Sequence, residues 1–368
     1  MDSDVVLVLV VGTALAFDFT NGFHDTANVV ATSISTRALQ PRVAIGLAAI
    51  LNFVGAFVSL EVAATVGKGI VEADVITPEI VFGGLIGAIF WNMVTWYFGL
   101  PSSSSHALIG GVVGAAFVAE GSDAVLSDGL LGKVAVPALV APALAFAVAG
   151  LAIIIVYRVV GRLRPGPVSA GFRGGQVISG GMLALAHGTN DAQKTMGVIV
   201  LALIAHGDIA ADDFHVPTWV VVSAATAIAL GTYVGGWRII RTMGTRIIKM
   251  DTAQGFAAQG SGAAVILAAS HVGYPLSTTH TISGAVMGAG AAKSVSAVRW
   301  GVAGNMVVAW VLTIPAAALV GGAVYGFTRI FGSDSAIGPL VVAVLILAGM
   351  VYAFAMRLRR SPMTAAEA

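Results

Sequence analysis

Apolar residues run along the chain in long blocks, with polar residues gathered between the blocks or at a few points inside them. The blocks extend from Val5 to Ser35, Val43 to Val66, Ile80 to Ala119 and Val134 to Val160, then from Gly175 to Ala205, Trp219 to Gly236, Thr252 to Ala292, Gly301 to Phe327 and Gly338 to Met356. A helix crosses a bilayer with about 20 apolar residues. Four blocks, those starting at Val5, Ile80, Gly175 and Thr252, are half as long again or more and carry Gly, Pro or polar residues in the middle. They are predicted to be broken helices or re-entrant hairpins, the two longest (Ile80 to Ala119 and Thr252 to Ala292) being hairpins that return to their own side. The pattern thus predicts an all-α integral membrane protein.

Polar residues inside the blocks repeat. The first half has Gly22-Phe23-His24-Asp25-Thr26-Ala27-Asn28 and later Pro101-Ser102-Ser103-Ser104-Ser105-His106; the second has Gly188-Thr189-Asn190-Asp191-Ala192-Gln193-Lys194 and later Pro275-Leu276-Ser277-Thr278-Thr279-His280. The spacing agrees as well, 81 positions from Asp25 to His106 and 89 from Asp191 to His280. The predicted organisation is an N-terminal repeat (1–160), a cytoplasmic basic linker (161–174), a C-terminal repeat (175–327) and a final transmembrane helix with a cytoplasmic tail (328–368).

Charge sets the expected orientation. If the two hairpins return and the other seven blocks cross once, an outside N-terminus puts fifteen of nineteen Lys and Arg residues on the cytoplasmic side, among them Arg37, Arg42, Arg158, Arg173, Arg246 and Arg360. Only Lys68, Lys133 and Arg329 lie outside, with most acids, including Glu72, Asp74 and Asp334, and Lys194 falls within a block. Basic residues favour the cytoplasmic face, so the C-terminus is expected inside and the two repeats enter the membrane from opposite sides. Inverted repeats are the architecture of alternating access in secondary transporters. The acidic start, Met1 to Asp4, lacks the basic region of a signal peptide, so the first block is expected to be retained.

Composition closes other routes. The chain of 368 residues is 57% hydrophobic and 10% charged, with mean hydropathy +0.92, which excludes a soluble fold. A net charge of +1 provides no basic surface for nucleic acid. There is no Cys, hence no disulfide or thiolate chemistry. Hydrolase and nucleotide-binding motifs such as G-x-S-x-G, H-E-x-x-H and the P-loop are absent, so neither an enzyme nor ATP-driven transport within this chain is expected, and no cofactor.

The hydroxyl runs Ser102 to Ser105 and Ser277 to Thr279 each precede an apolar stretch and are expected to cap the second arm of a hairpin. A helix N-terminus offers free N–H groups and a positive dipole end, an anion site. Two such ends near the midplane can hold a tetrahedral oxyanion. Carboxylates inside a membrane are costly, so Asp25 and Asp191 are functional candidates. Beside an anion they need a cation or a proton. Either they bind Na+ together with Asn28 and Asn190, or one accepts a hydrogen bond from a protonated substrate oxygen, which favours hydrogen phosphate over sulfate. Lys194 stands where the first copy has Asn28 and can balance Asp191 or touch the anion. His24 and His187 stand beside these Asp residues as candidate proton relays. His106, His280 and Asp18 are supporting candidates, and the tryptophans, Trp310 among them, are read as packing or interfacial residues.

At these motifs the sequence resembles the inorganic phosphate transporter (Pit) family, over nearly the whole chain. The resemblance implies a plasma-membrane symporter that takes up orthophosphate with H+ or Na+ by an elevator-like or rocking movement. It implies substrate and ion sites at Asp25, Asn28, Asn190 and Asp191, and phosphate contacts at Ser102, Ser103, Ser104, Ser105, Ser277, Thr278 and Thr279. His24 and Lys194 depart from the family's usual Asn at those positions. The His-Asp form resembles bacterial low-affinity, proton-coupled members, in which the cargo is a neutral metal-phosphate complex, and this favours H+ over Na+. A sulfate or other oxyanion permease is the alternative, and a homodimer is an expectation from such folds.

Overall fold

The computed structural model describes residues 2–68, 70–71, 75–210, 212–332 and 335–360. Glu72, Asp74, Asp334 and the tail 361–368 lie outside the described residues, as do the side chains of Asp2, Lys68, Arg357, Arg359 and Arg360. The described part is helical, apart from turns and one bridge between Val71 and Val125. The first half comprises α1 (Asp2–Ser35), α2 (Pro41–Gly55), α3 (Glu61–Lys68), α4 (Pro78–Phe98), α5 (Ser104–Glu120), α6 (Ser127–Gly129) and α7 (Val136–Val160). The second comprises α8 (Pro165–His206), α9 (Thr218–Val234), α10 (Trp237–Arg241), α11 (Thr252–His271), α12 (Thr278–Ala291) and α13 (Trp300–Arg329), followed by α14 (Ile337–Arg360). Five stretches are long and apolar enough to cross a membrane, and a sixth if the bent pair Thr218–Val234 and Trp237–Arg246 is one span.

Both hairpins form. In the first, α4 ends at Gly99, whose φ of 68° is the left-handed cap that releases the chain from a helix. Pro101 follows, and Ser103 caps α5 by accepting a hydrogen bond from His106 N at 3.1 Å. The second repeats the device with Gly273 at φ 79°, Pro275, and Ser277 accepting from His280 N at 3.2 Å.

Two expectations are corrected. The blocks starting at Val5 and Gly175 are continuous helices of 34 and 42 residues, not broken ones. Their polar residues stay helical because the hydroxyls bond back to carbonyls of the preceding turn: Thr20 to Phe17 O at 2.8 Å and Thr26 to Gly22 O at 2.6 Å, Thr189 to Leu185 O at 2.9 Å. The breaks fall between α2 and α3 and between α9 and α10, where the bend is 63°. The basic stretch before Gly175 is also helical from Pro165 onward, so little of 161–174 is loop. Pro165 and Pro167 occupy the first turn, where the missing N–H groups have no intrahelical role.

Element order repeats, α1 to α5 and α7 matching α8 to α13, and the packing between the halves is reciprocal. α1 packs on α9 and α8 on α2; α5 packs on α13 and α12 on α7. Glycine sets each approach. A side chain at Gly22 would collide with Ile228 and Thr232, one at Gly231 with Phe19 and Phe23, one at Gly55 with Leu185 and Thr189, and one at Gly188 with Asn52. Small residues let membrane helices meet at backbone distance. Gly231→Ala is therefore expected to destabilise the fold by about 1–3 kcal/mol, read as a lower thermal midpoint in detergent. Gly46→Ala, with nothing within 4 Å, should leave the midpoint unchanged or raised.

Candidate functional site

The N-termini of α5 and α12 meet the middles of α1 and α8 at the interface between the halves. Asp25, near the centre of α1, accepts hydrogen bonds from Ser104 Oγ at 2.7 Å on its own half and from Thr279 Oγ1 at 3.4 Å on the other. Its neighbour His24 approaches through Nδ1 at 2.6 Å, while His24 Nε2 meets Thr95 Oγ1 at 3.0 Å. Asp191, at the equivalent point of α8, pairs with Lys194 Nζ at 2.5 Å and accepts from Thr278 Oγ1 at 3.1 Å. His187 Nε2 lies 3.0 Å from Asp191 Oδ2, and its Nδ1 meets Asn52 Oδ1 at 3.2 Å. Each carboxylate therefore accepts from a hydroxyl at a hairpin N-terminus, and Asp191 from an ammonium as well, while His187 Nε2 is near Asp191 without hydrogen-bonding geometry.

Lys194 links the halves. Its ammonium, 2% exposed, donates to Asp191, to Ser105 Oγ of the first half at 2.6 Å and to the Leu276 carbonyl at 2.6 Å. Asn28 crosses in the other direction, its Nδ2 donating to Thr279 Oγ1 at 2.9 Å. Asn190 donates to Ser270 Oγ at 2.8 Å. The carbonyl oxygens of Asn28 and Asn190 are buried without a partner among the described residues. Such acceptors are costly unless a donor or cation reaches them, so the site is built to receive something that supplies one.

Of the seven hydroxyls expected at the anion, four converge on the charged centre: Ser104, Ser105, Thr278 and Thr279. Ser103 and Ser277 are spent on capping, and Ser102 bonds to Thr313 and Trp91, each at 2.9 Å, tying the hairpin tip to α13. His106 and His280 lie beyond the hydroxyls, ring centroids 4.7 Å apart, and His280 stacks on Trp310 at 4.0 Å. Trp310 also donates through Nε1 to the Pro101 carbonyl at 3.1 Å. Asn21 was not among the expected residues. Its Oδ1 lies 2.6 Å from Ser104 Oγ and is the alternative acceptor to Asp25 for that hydroxyl's one proton, and its position four before Asp25, on the same helix face, was the available signal. Thr95 on α4 gave no sequence signal, since only the fold brings it to His24.

The centre is sealed. Asp25, Asp191, His24, His187 and Lys194 are all at most 2% exposed, which makes this an occluded arrangement. The two carboxyl groups outnumber the single ammonium, with one imidazole beside each. Coordinating atoms of Asp25, His187 and Asp191 lie within 4.8 Å of one another, close enough to share a cation or a proton. An oxyanion here can draw donors from Lys194, the four hydroxyls and the two helix ends, yet needs one more positive charge to offset the carboxylates.

Comparison with known proteins gives the same picture. Residues 21–321 match the phosphate transporter family. The chain is 54% identical to a probable low-affinity inorganic phosphate transporter of Mycobacterium bovis, covering 89% of this chain and 78% of that one. Proteins of the same description are 50% identical in Rhizobium meliloti (88% and 98% covered) and 44% in Bacillus subtilis (87% and 96%). A solved structure described as the sodium-dependent phosphate transporter shares the fold, with TM-score 0.77 at 24% identity over 88% of this chain and 99% of that one. These relatives are transporters, not enzymes, and the match takes in both halves and all four motifs: the chain belongs to the phosphate transporter family.

Proposed function

We propose that the chain is a proton-coupled symporter of inorganic phosphate, working by alternating access around the site between its inverted halves. The reading draws on the names of its relatives for the substrate and on one observation for the coupling. That observation is Lys194, an ammonium already bonded to Asp191 and to oxygens of both hairpins. It occupies a place among oxygens that a coupling Na+ would otherwise take. Na+ would use Asp25, Asn28, Asn190 and Asp191, and a resident ammonium within that set repels it. Protons need no such cage.

In the proposed bound state, phosphate accepts hydrogen bonds from Lys194, Ser104, Ser105, Thr278 and Thr279, while a protonated phosphate oxygen donates to Asp25. A divalent metal-phosphate complex would bring its own positive charge and relieve the same deficit; the unpaired oxygens of Asn28 and Asn190 support that variant as cargo. The expected setting is the plasma membrane with the N-terminus outside and the C-terminus cytoplasmic, and the expected assembly is a homodimer.

The test is uptake of labelled phosphate by the purified protein in liposomes. An inward H+ gradient should drive accumulation, a Na+ gradient alone should not, and sulfate should not compete. Uptake driven only by Na+ would overturn the coupling; entry of sulfate in place of phosphate would overturn the substrate.

A further inference from the structure

Asp18 on α1 is 0% exposed, and neither of its carboxylate oxygens meets a donor in hydrogen-bonding geometry among the described residues. Asp25 and Asp191 differ in this respect, the first holding hydroxyl and imidazole partners and the second an ammonium. A buried carboxylate without well-placed donors is so costly that it takes up a proton instead of staying charged. Thr195 on α8 and Asn21 are the polar side chains that face Asp18, and Thr195 Oγ1 meets no partner in hydrogen-bonding geometry among the described residues. A carboxylic acid has the O–H that lets this pair bond.

We propose that Asp18 is the binding site of the coupling proton, loading when the centre opens outward and releasing to cytoplasmic water when it opens inward. This rests on the proton-phosphate reading above. Asp18 lies two turns before Asp25, about 10 Å along α1 towards the N-terminus, the outer side in the proposed orientation. The matching position of the second half is Ala184, so the halves are unequal here and the site holds one proton.

Its surroundings supply the coupling. Asp191 and Lys194 on α8 are the ionisable groups around it, with Asn21 and Thr195 as polar neighbours. His24 on α1 is engaged with Asp25 and Thr95, α9 carries no Asp, Glu, Lys, Arg or His, and on α4 only Glu79, in the first turn, is charged. Arg238 and Arg241 sit on α10, which follows the contact of Gly236 with Phe23, and His106 and His280 face each other. Loss of the Asp18 proton adds a negative charge near the centre and favours phosphate release, so proton and phosphate bind together, as linkage requires.

The experiment compares wild type, Asp18→Asn and Asp18→Glu in liposomes by two assays: accumulation under an inward gradient of one pH unit, and phosphate-phosphate exchange at equal pH on both sides. One coupled proton gives roughly tenfold accumulation per pH unit. Asp18→Asn should lose that accumulation yet retain measurable exchange that no longer responds to pH, and Asp18→Glu should recover coupling. Accumulation by Asp18→Asn equal to wild type would overturn the proposal, and so would loss of exchange at every pH in a folded variant, which would mark Asp18 as part of the anion site. Infrared spectra of the wild type should contain a protonated-carboxyl band that disappears on titration; its absence overturns the proposal even if the variants fail to fold. Exchange without any H+-driven uptake in wild type would instead overturn the coupling reading, and this role with it.

Discussion

Lys194→Met is expected to abolish phosphate uptake and to destabilise the fold by about 3–5 kcal/mol, the usual cost of removing one partner of a buried ion pair. Lys194 is one of the largest fully buried side chains, and its ammonium holds Asp191, Ser105 and the Leu276 carbonyl at once. Methionine fills the volume but leaves Asp191 with Thr278 as its hydrogen-bond donor among the described residues. The double variant Asp191→Asn with Lys194→Met removes both charges and should regain much of the thermal midpoint while remaining unable to transport. Uptake near the wild-type level by the single variant would show that the ammonium has no part in phosphate binding. A double variant no more stable than the single one would mean that packing, not the ion pair, sets the cost.

Much of this arrangement was legible in the sequence because it is written as local chemistry. Each Pro followed by a hydroxyl run is a helix start after a break, and Ser103 and Ser277 cap as the pattern predicts. The spacing of Gly22 to Asp25 and Gly188 to Asp191 marks a pair of charged points, one in each half. What was not legible depends on neighbours from elsewhere in the chain. The Thr26 hydroxyl, for example, has the Thr232 carbonyl of α9 at 3.2 Å as an alternative acceptor to Gly22 O, so a polar stretch that looks like a break stays helical where another helix meets it. The division of the hydroxyls follows the same rule: Ser102 and Ser104 are alike in sequence, yet one meets Thr313 and the other Asp25.

The exchange between halves explains why the site belongs to neither alone. Thr279 of the second hairpin bonds to Asp25 of the first half, and Lys194 of the second half bonds to Ser105 of the first hairpin. A relative movement that opens the centre must lengthen these contacts. In the proposed bound state phosphate accepts from the same hydroxyls and ammonium and offers both halves a shared partner. Substrate binding and closure are then one event, since the bonds that hold the anion also join the hairpins.

Asp25→Asn is expected to lower uptake at subsaturating phosphate about 10- to 100-fold, the worth of a charged hydrogen bond of roughly 1.5–3 kcal/mol, while the protein still folds. Folding survives because the partners adapt: the Ser104 and Thr279 hydroxyls can accept from an amide as well as donate to it, and His24 can change tautomer. Function does not, because only a carboxylate both accepts the proton of hydrogen phosphate and repels an oxyanion that lacks one. The same substitution should therefore change selectivity. Sulfate, with no proton to donate, meets a carboxylate in wild type and an amide donor in the variant, so it should compete with the residual phosphate uptake of Asp25→Asn and not with that of wild type. Competition assays in liposomes read this directly. A variant that keeps its uptake, or that loses uptake yet still ignores sulfate, would mean that Asp25 is not the group that recognises the phosphate proton.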